Sequence, residues 1–527
     1  MDLAHVAILP IIIPMIAVIT NLLVGDGRSD RFVGLNITFA AISVLVAILL
    51  VTSIILAGDA AVAVYPLGNW PVPFGIVLVA DRLAAIMVLL TAVLAFAALV
   101  FSSAHWYRNG TNFFPLFHAL TIGLYGAFLT GDLFNLFVFF EILLAASYGL
   151  VLHGGGRNRV RPALHYIAVN LVASSLFLIG VALIYGTTGT LNMADIARVS
   201  ALMDPENRGL FEAGAAILGV AFLVKAGAWP LHFWLPAAYS AAVPPVAALF
   251  AIMTKVGFYA LLRLWTLVFG EGNDFGQNTL FVLGLITIAY GSLGVLQSKA
   301  LDRLASYLII VSAGTLLLSV AYNAPGVTAG ALFYVIVATL AAGALFLLKD
   351  IIDQGLPAEA QVLAVSLEFY GDEEDEEIDE DQEVSPTIPA GTALISCCFA
   401  IIALLMAGLP PFAGFLSKFI MLSAAFEAGD GPTAATWWFV AAMIISGLLV
   451  LIAMVRNGIN IFWTSMPEEG IQVRVAEIQP ILGLIGICVL MTLFAGPILD
   501  ILTDTAALLH SPQAYIDAVF TSMRNTR

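Results

Sequence analysis

The chain has 527 residues, 61% hydrophobic and only 11% charged, against about 25% charged in an ordinary soluble domain. That balance leaves no room for a large soluble catalytic domain, and no nucleic-acid partner is expected of it; it is the composition of a polytopic membrane protein. The net charge is −16, but eleven acids lie between Glu368 and Glu383, and without them it is about −5.

The first apolar stretch, Val6 to Val24, follows a start with no basic residue and is longer than a signal-peptide core, so it reads as an uncleaved first span. Further stretches of about 20 apolar residues follow at 33–57, 77–104, 112–130, 132–152, 163–186, 211–240, 243–268, 277–297, 303–322, 327–353, 391–428, 434–464 and 476–503. The expected fold class is therefore an all-α polytopic membrane protein of about fourteen transmembrane helices. Helices 7 and 12 are expected to be discontinuous: 211–240 contains Trp229, Pro230 and Pro236, and 391–428 contains the run from Gly408 through Pro410 and Pro411 to Gly414. Proline removes a backbone donor and glycine loosens the turn. Unwound backbone in a membrane persists only where protein or water satisfies it.

Four charges lie deep inside these apolar stretches, away from their ends: Glu141, Lys225, Lys255 and Lys418. An ionised acid at a helix centre costs roughly 2.5 to 3.5 kcal/mol on insertion scales, so such a residue faces a partner or a wet cavity and marks a proton or ion path. The bland alternatives are a fixed Glu141–Lys225 ion pair and, for Lys255 and Lys418, snorkelling to the interface. His118 and His232 are either hydrogen-bonded helix residues or members of a relay. Asp81 and Asp132 stand at span ends, where capping is the default, and Lys349 followed by Asp350 reads as a boundary charge.

Loops after odd-numbered spans hold eleven basic residues, three of them Arg157, Arg159 and Arg161 in one short loop, and the other side holds six. The positive-inside rule then makes odd loops cytoplasmic, with both termini outside. The acidic run, within an insert spanning 354–390, is expected to be a solvated cytoplasmic loop, with attraction of cations as its sharper alternative. It lacks the alternating ligand pattern of a calcium loop. Cys397, Cys398 and Cys488 lie in apolar spans with no metal-ligand spacing and read as packing residues. No phosphate loop or dinucleotide fingerprint is present, so no cofactor is expected.

Taken in order, four strings carry a resemblance: Leu129 to Glu141 (LTGDLFNLFVFFE), Leu223 to Pro236 (LVKAGAWPLHFWLP), Thr254 to Arg263 (TKVGFYALLR) and Gly408 to Lys418 (GLPPFAGFLSK). Together they resemble the antiporter-like subunits shared by respiratory complex I, membrane hydrogenases and Mrp cation/proton antiporters, the first string being most similar to the Mrp D-type subunit. The resemblance implies three N-terminal helices in 1–111 and two inverted five-helix repeats, 112–268 and 277–464, around a hydrated charged axis. The second repeat carries the acidic insert, and 465–527 holds helix 14 and a C-terminal tail. It implies the fifth-helix acid in Glu141, the seventh-helix lysine in Lys225, the eighth-helix lysine in Lys255 and the twelfth-helix lysine in Lys418. The family's eleventh-helix histidine and lysine are replaced here by Val337 and Ala342, so water or Thr339 would have to bridge Lys255 to Lys418.

The function implied is proton translocation coupled to a cation flux, expected to be sodium, in a prokaryotic cell membrane, together with a larger antiporter-like subunit and small hydrophobic subunits. The alternative is the pump module of a redox complex; an organic-solute transporter would show selective polar groups at its breaks instead of a charge row. In low dielectric a carboxylate resists ionisation and a lysine loses its proton readily, while an opposite charge nearby reverses both tendencies. Lys225 swinging between Glu141 and Lys255 would thereby switch protonation.

Overall fold

The structure, a computed structural model, describes residues 3–25, 30–58, 61–270, 275–355, 389–428, 431–464 and 473–521. The acidic run and most of the 354–390 insert lie outside the described residues. Thirteen helices among the described residues are long and apolar enough to cross a membrane, and Phe113–Leu129 is a shorter apolar one.

The chain begins with α1 (Leu3–Val24) and α2 (Asp30–Leu56), followed by two short antiparallel strands, β1 (Ala63–Pro66) and β2 (Val77–Ala80), with Ala63 opposite Ala80. The third span, expected to be helical from residue 77, thus opens as a strand. Its β-branched Val77 and Val79 suit the pairing, and the helix α3 (Arg82–Ser102) starts only after Asp81, whose carboxylate accepts the Ala84 N–H at 2.9 Å. Next come α4 (Phe113–Leu129), α5 (Leu133–Val151), α6 (Arg157–Thr188) and the short α7 (Met193–Ala201). The seventh span is α8 (Pro205–Ala226), a break, and α9 (Trp234–Ala241). Then follow α10 (Pro244–Leu264), α11 (Gln277–Gln297), α12 (Leu301–Tyr322) and α13 (Pro325–Gly355).

The twelfth span is split in the same way, into α14 (Ala390–Ala407) and α15 (Ala413–Glu427). After α16 (Ala434–Ile459) and α17 (Val475–Leu493), the C-terminal tail forms two further helices, α18 (Ala495–His510) and α19 (Gln513–Thr521). They pack on α13 and on α7 and β1 respectively.

Helices differ in what surrounds them, and the sequence explains it. α10, α12 and α13 are buried along almost their whole length, on every face, and form the centre. Peripheral helices instead turn apolar side chains outward, such as Leu45, Ile48 and Leu49 on α2 and Ile444, Ile445 and Leu448 on α16, which is the pattern for a lipid-facing belt. Between helices no hydrophobic force acts in lipid, so close packing of small residues substitutes. On α6 and α8, a Cβ added to Gly180 would meet the Gly214 carbonyl oxygen at 2.9 Å, so only glycine permits this approach.

Candidate functional site

The break in the seventh span sets the first part of the site. α8 ends at Ala226 because Gly227 adopts a left-handed conformation (φ 73°), which glycine enters without a steric penalty. Ending there leaves backbone groups to be satisfied inside the protein: Trp234 Nε1 donates to the Val224 oxygen at 3.2 Å, and the Trp229 N–H donates to Thr287 Oγ1 at 3.0 Å. Lys225 occupies the last turn, where the partial negative charge of the helix end favours an ammonium. Its Nζ donates to Asn170 Oδ1 at 3.1 Å and lies 5.7 Å from the centre of the Phe140 ring.

Glu141, on α5, accepts Ser174 Oγ at 2.5 Å. Among the described residues it forms no ion pair with Lys225 within 4.0 Å. Asn170 and Ser174 are one turn apart on α6, so this helix interposes two neutral polar groups between acid and lysine. Glu141 is half-buried and shares its face of α5 with the exposed Phe134 and Val138.

Lys255 sits at the centre of the bundle, 2% exposed, with Nζ donating to Ser312 Oγ on α12 at 2.6 Å. Its helix, α10, lies almost backbone to backbone on α8: a Cβ on Gly257 would be 2.6 Å from the Ala226 nitrogen and 2.7 Å from the Phe222 oxygen. Beyond Ser312, the Tyr334 phenol of α13 stands beside both Ser312 and Thr315. Polar groups therefore step from α10 through α12 to α13. Thr339, further along α13, is fully buried and donates to its own helix at Val335 O, 2.6 Å away, and Val337 and Ala342 are buried.

Lys418 repeats the electrostatic setting of Lys225. α14 ends at Gly408 (φ 76°), and Lys418 Nζ donates to the carbonyl of Ala407 at 2.9 Å. The side chain folds over two glycines. A Cβ on Gly408 would lie 2.6 to 2.9 Å from Lys418 Cδ, Cε and Nζ, and one on Gly447 would lie 2.8 Å from the Ala407 oxygen.

The two histidines stand apart from this row. His118 Nε2 lies 3.0 Å from Asn36 Oδ1, and Asn36 in turn pairs with Asn21 at 2.8 and 3.0 Å, a buried polar chain tying α4 to α2 and α1. Leu116 packs against Gly149 and Gly123 against Leu143, so His118 lies some six residues, about 9 Å, along the α5 axis from Glu141. His232 is in the break, its ring 4.2 Å from that of Tyr290, and its buried Nδ1 has no hydrogen-bond partner among the described residues.

Asp81 and Asp132 do cap helices. Asp81 also takes a two-pronged contact from Arg263, with Nη2 to Oδ1 at 2.7 Å. Asp132 accepts the Asn135 N–H at 2.8 Å at the start of α5. Lys349 pairs with Asp353 at 2.6 Å. Cys398 and Cys488 are buried as expected of packing residues, whereas Cys397 is exposed.

Asn170, Ser174, Ser312, Thr315 and Tyr334 were not singled out from sequence. A signal exists: hydroxyls and amides recur at spacings of three or four in otherwise apolar segments, at 170 and 174 and at 312, 315 and 319, which places them on one helical face.

Compared with known proteins, residues 130–450 match the profile described as NADH:quinone oxidoreductase/Mrp antiporter, transmembrane. The chain is 49% identical to the D-type subunit of a probable K(+)/H(+) antiporter of Rhizobium meliloti, covering 99% of this chain and 98% of that protein. It is 34% identical to the D-type subunit of the Na(+)/H(+) antiporter of Alkalihalophilus pseudofirmus, covering 98% and 99%. Among solved structures it is similar to a chain of the Mrp complex from Dietzia, with a TM-score of 0.83 and 25% identity over 98% of this chain and 99% of that one.

Proposed function

The chain belongs to the NADH:quinone oxidoreductase/Mrp antiporter transmembrane family, and from that premise we propose that it is the proton-translocating subunit of a multisubunit monovalent cation/proton antiporter. Glu141, Lys225, Lys255 and Lys418 carry the protons. The observation that supports this most is the coordination of the lysines: each ammonium is held by a neutral oxygen, of Asn170, Ser312 or Ala407, and not by a carboxylate. A permanent ion pair would fix the charge, whereas neutral acceptors hold a lysine without preventing loss of its proton.

Movement of Lys225 off Asn170 toward Glu141 keeps the acid ionised. Movement toward Lys255 sets two positive charges against each other, expelling a proton from one lysine and favouring uptake by Glu141. The continuation to Lys418 runs through Ser312, Tyr334 and water rather than through Thr339, whose hydroxyl is committed to its own helix. His118 and His232 lie outside this sequence of steps.

The repeat boundaries 112–268 and 277–464 are supported by matched construction. In each, the first two helices pack together (α4 with α5, α11 with α12), and the third packs on the broken one (α6 with α8, α13 with α14 and α15). Each break begins at a left-handed glycine, Gly227 or Gly408; Lys225 sits in the last turn before the first, and Lys418 Nζ donates to the Ala407 carbonyl before the second.

The cytoplasmic side is placed where α3, α5, α11 and α13 end, with both termini outside, in a prokaryotic cell membrane. The exposed face bearing Phe134, Val138 and Glu141 is where a partner subunit packs. The two relatives are named for different cations, K(+) and Na(+), both monovalent. Copurification of the complex followed by mass spectrometry, and proton movement in vesicles driven by Na⁺ or K⁺, test the reading together: small hydrophobic antiporter subunits and cation-dependent proton flux are expected. Iron–sulfur or quinone-site partners without such flux would assign the chain to a redox complex instead.

A further inference from the structure

A second cluster of titratable groups lies where α13 ends, apart from the row of lysines. His105, in the turn after α3, stands between carboxylates from two other helices: Nε2 is 4.0 Å from Asp350 Oδ2 on α13, and Nδ1 is 3.4 Å from Glu477 Oε1 on α17. The acids are 8% and 1% exposed and the imidazole 32%, so the ring connects solvent to two buried carboxylates. Asp350 Oδ2 also accepts Trp106 Nε1 at 2.7 Å and Gln354 Nε2 at 3.1 Å. Among the described residues Glu477 Oε1 accepts no hydrogen bond, and the His105 Nδ1 it faces makes none.

The surrounding charges are Arg474, 3.7 Å from Glu477 and mostly exposed, Lys349 with its partner Asp353, and Asp302 of α12, which acts on Lys349.

A neutral imidazole has one N–H. With carboxylates on both sides, its other nitrogen stands near a carboxylate oxygen, acceptor facing acceptor, and such a pair is costly in a buried place without a proton between them. Two arrangements relieve this: an imidazolium between two carboxylates, or a neutral imidazole with one protonated carboxyl. Both carry the same net charge of −1. A proton therefore moves among the three groups without changing the charge of the cluster, and His105 delivers it to or takes it from solvent.

We infer that His105, Asp350 and Glu477 form a proton-binding site that exchanges protons with the solution at the face where α13 ends. It rests on the proton-translocating reading only for its role in transport. The assembled complex in vesicles, compared with His105→Gln and Glu477→Gln, tests it through the pH of half-maximal cation-driven proton flux. Removing the ring base or one negative charge lowers the proton affinity of the cluster, so both variants shift that midpoint toward acid by about one unit. A structural tie between α13 and α17 would instead reduce the amount of assembled complex and leave the midpoint in place. That result, or an unchanged midpoint at normal assembly, overturns the site. Glu141→Gln, run alongside, reports on the relay separately: flux surviving in it counts against the relay and leaves the His105 result to be judged by its own midpoint.

Discussion

At the scale of single residues, the distinction that matters is between a charge that is held and one that is exchanged. Glu141→Gln keeps size and fixes neutrality, and is expected to abolish cation-dependent proton movement in vesicles while the complex assembles normally. Lys225→Ala does nearly the same. Lys225→Arg is also poor, because a guanidinium does not deprotonate in a protein; a static pair would give the reverse order, with arginine restoring function. The side chains on α6 give a further test. Ser174→Ala removes the hydroxyl 2.5 Å from Glu141, and Asn170→Leu removes the oxygen 3.1 Å from Lys225. Each loses a hydrogen bond to a charged group, worth about 1.5 to 3 kcal/mol, so flux is expected to fall roughly tenfold or more at unchanged expression. Wild-type flux in both would mean that α6 only packs against the relay.

At the scale of elements, the two broken helices are built on left-handed glycines with lysines beside them. Gly408→Ala places a Cβ in a conformation that costs an ordinary residue roughly 1 to 2 kcal/mol and drives it to within 2.6 Å of Lys418. The variant is expected to unfold at lower temperature, measured on the purified complex, and to displace Lys418 so that flux falls as well. Gly483→Ala is the control: it lies within α17 with open space around its Cβ position, and alanine is the better helix former. Equal melting temperatures for the two variants would mean that the break does not depend on its glycine.

At the scale of the whole molecule, orientation and the acidic insert are open to direct measurement. Single cysteines at Ser385 and Ser522, in a background without the native cysteines, are expected to separate by side: an impermeant thiol reagent outside intact cells labels Ser522→Cys and spares Ser385→Cys. Outside labelling at 385 would invert the orientation. Deleting 370–383 removes ten of the eleven acids between Glu368 and Glu383. Assembly is expected to survive, with a modest loss of transport seen chiefly at low ionic strength, where attraction of cations is least screened. Complete loss of transport at normal assembly would assign the insert a necessary role.

The sequence by itself determined the membrane class, the near-complete set of spans, both helix breaks and the four intramembrane charges, because hydropathy, proline, glycine and an isolated charge in an apolar run are local signals. It also marked Asp81 and Asp132 as caps, which needs only their position before a helix. The tertiary structure decided what each charge touches. That Lys225 bonds Asn170 and Lys255 bonds Ser312 depends on how α6, α8, α10 and α12 pack, and serine or asparagine in an apolar helix has no sequence signature that names its partner. The strand at Val77 and the helices of the C-terminal tail were likewise decided by what they pack against, the strand by β1 and the tail by α13 and α7. His105, Asp350 and Glu477 are 372 positions apart at their extremes; only the packing of α3, α13 and α17 at one end of the bundle makes them neighbours.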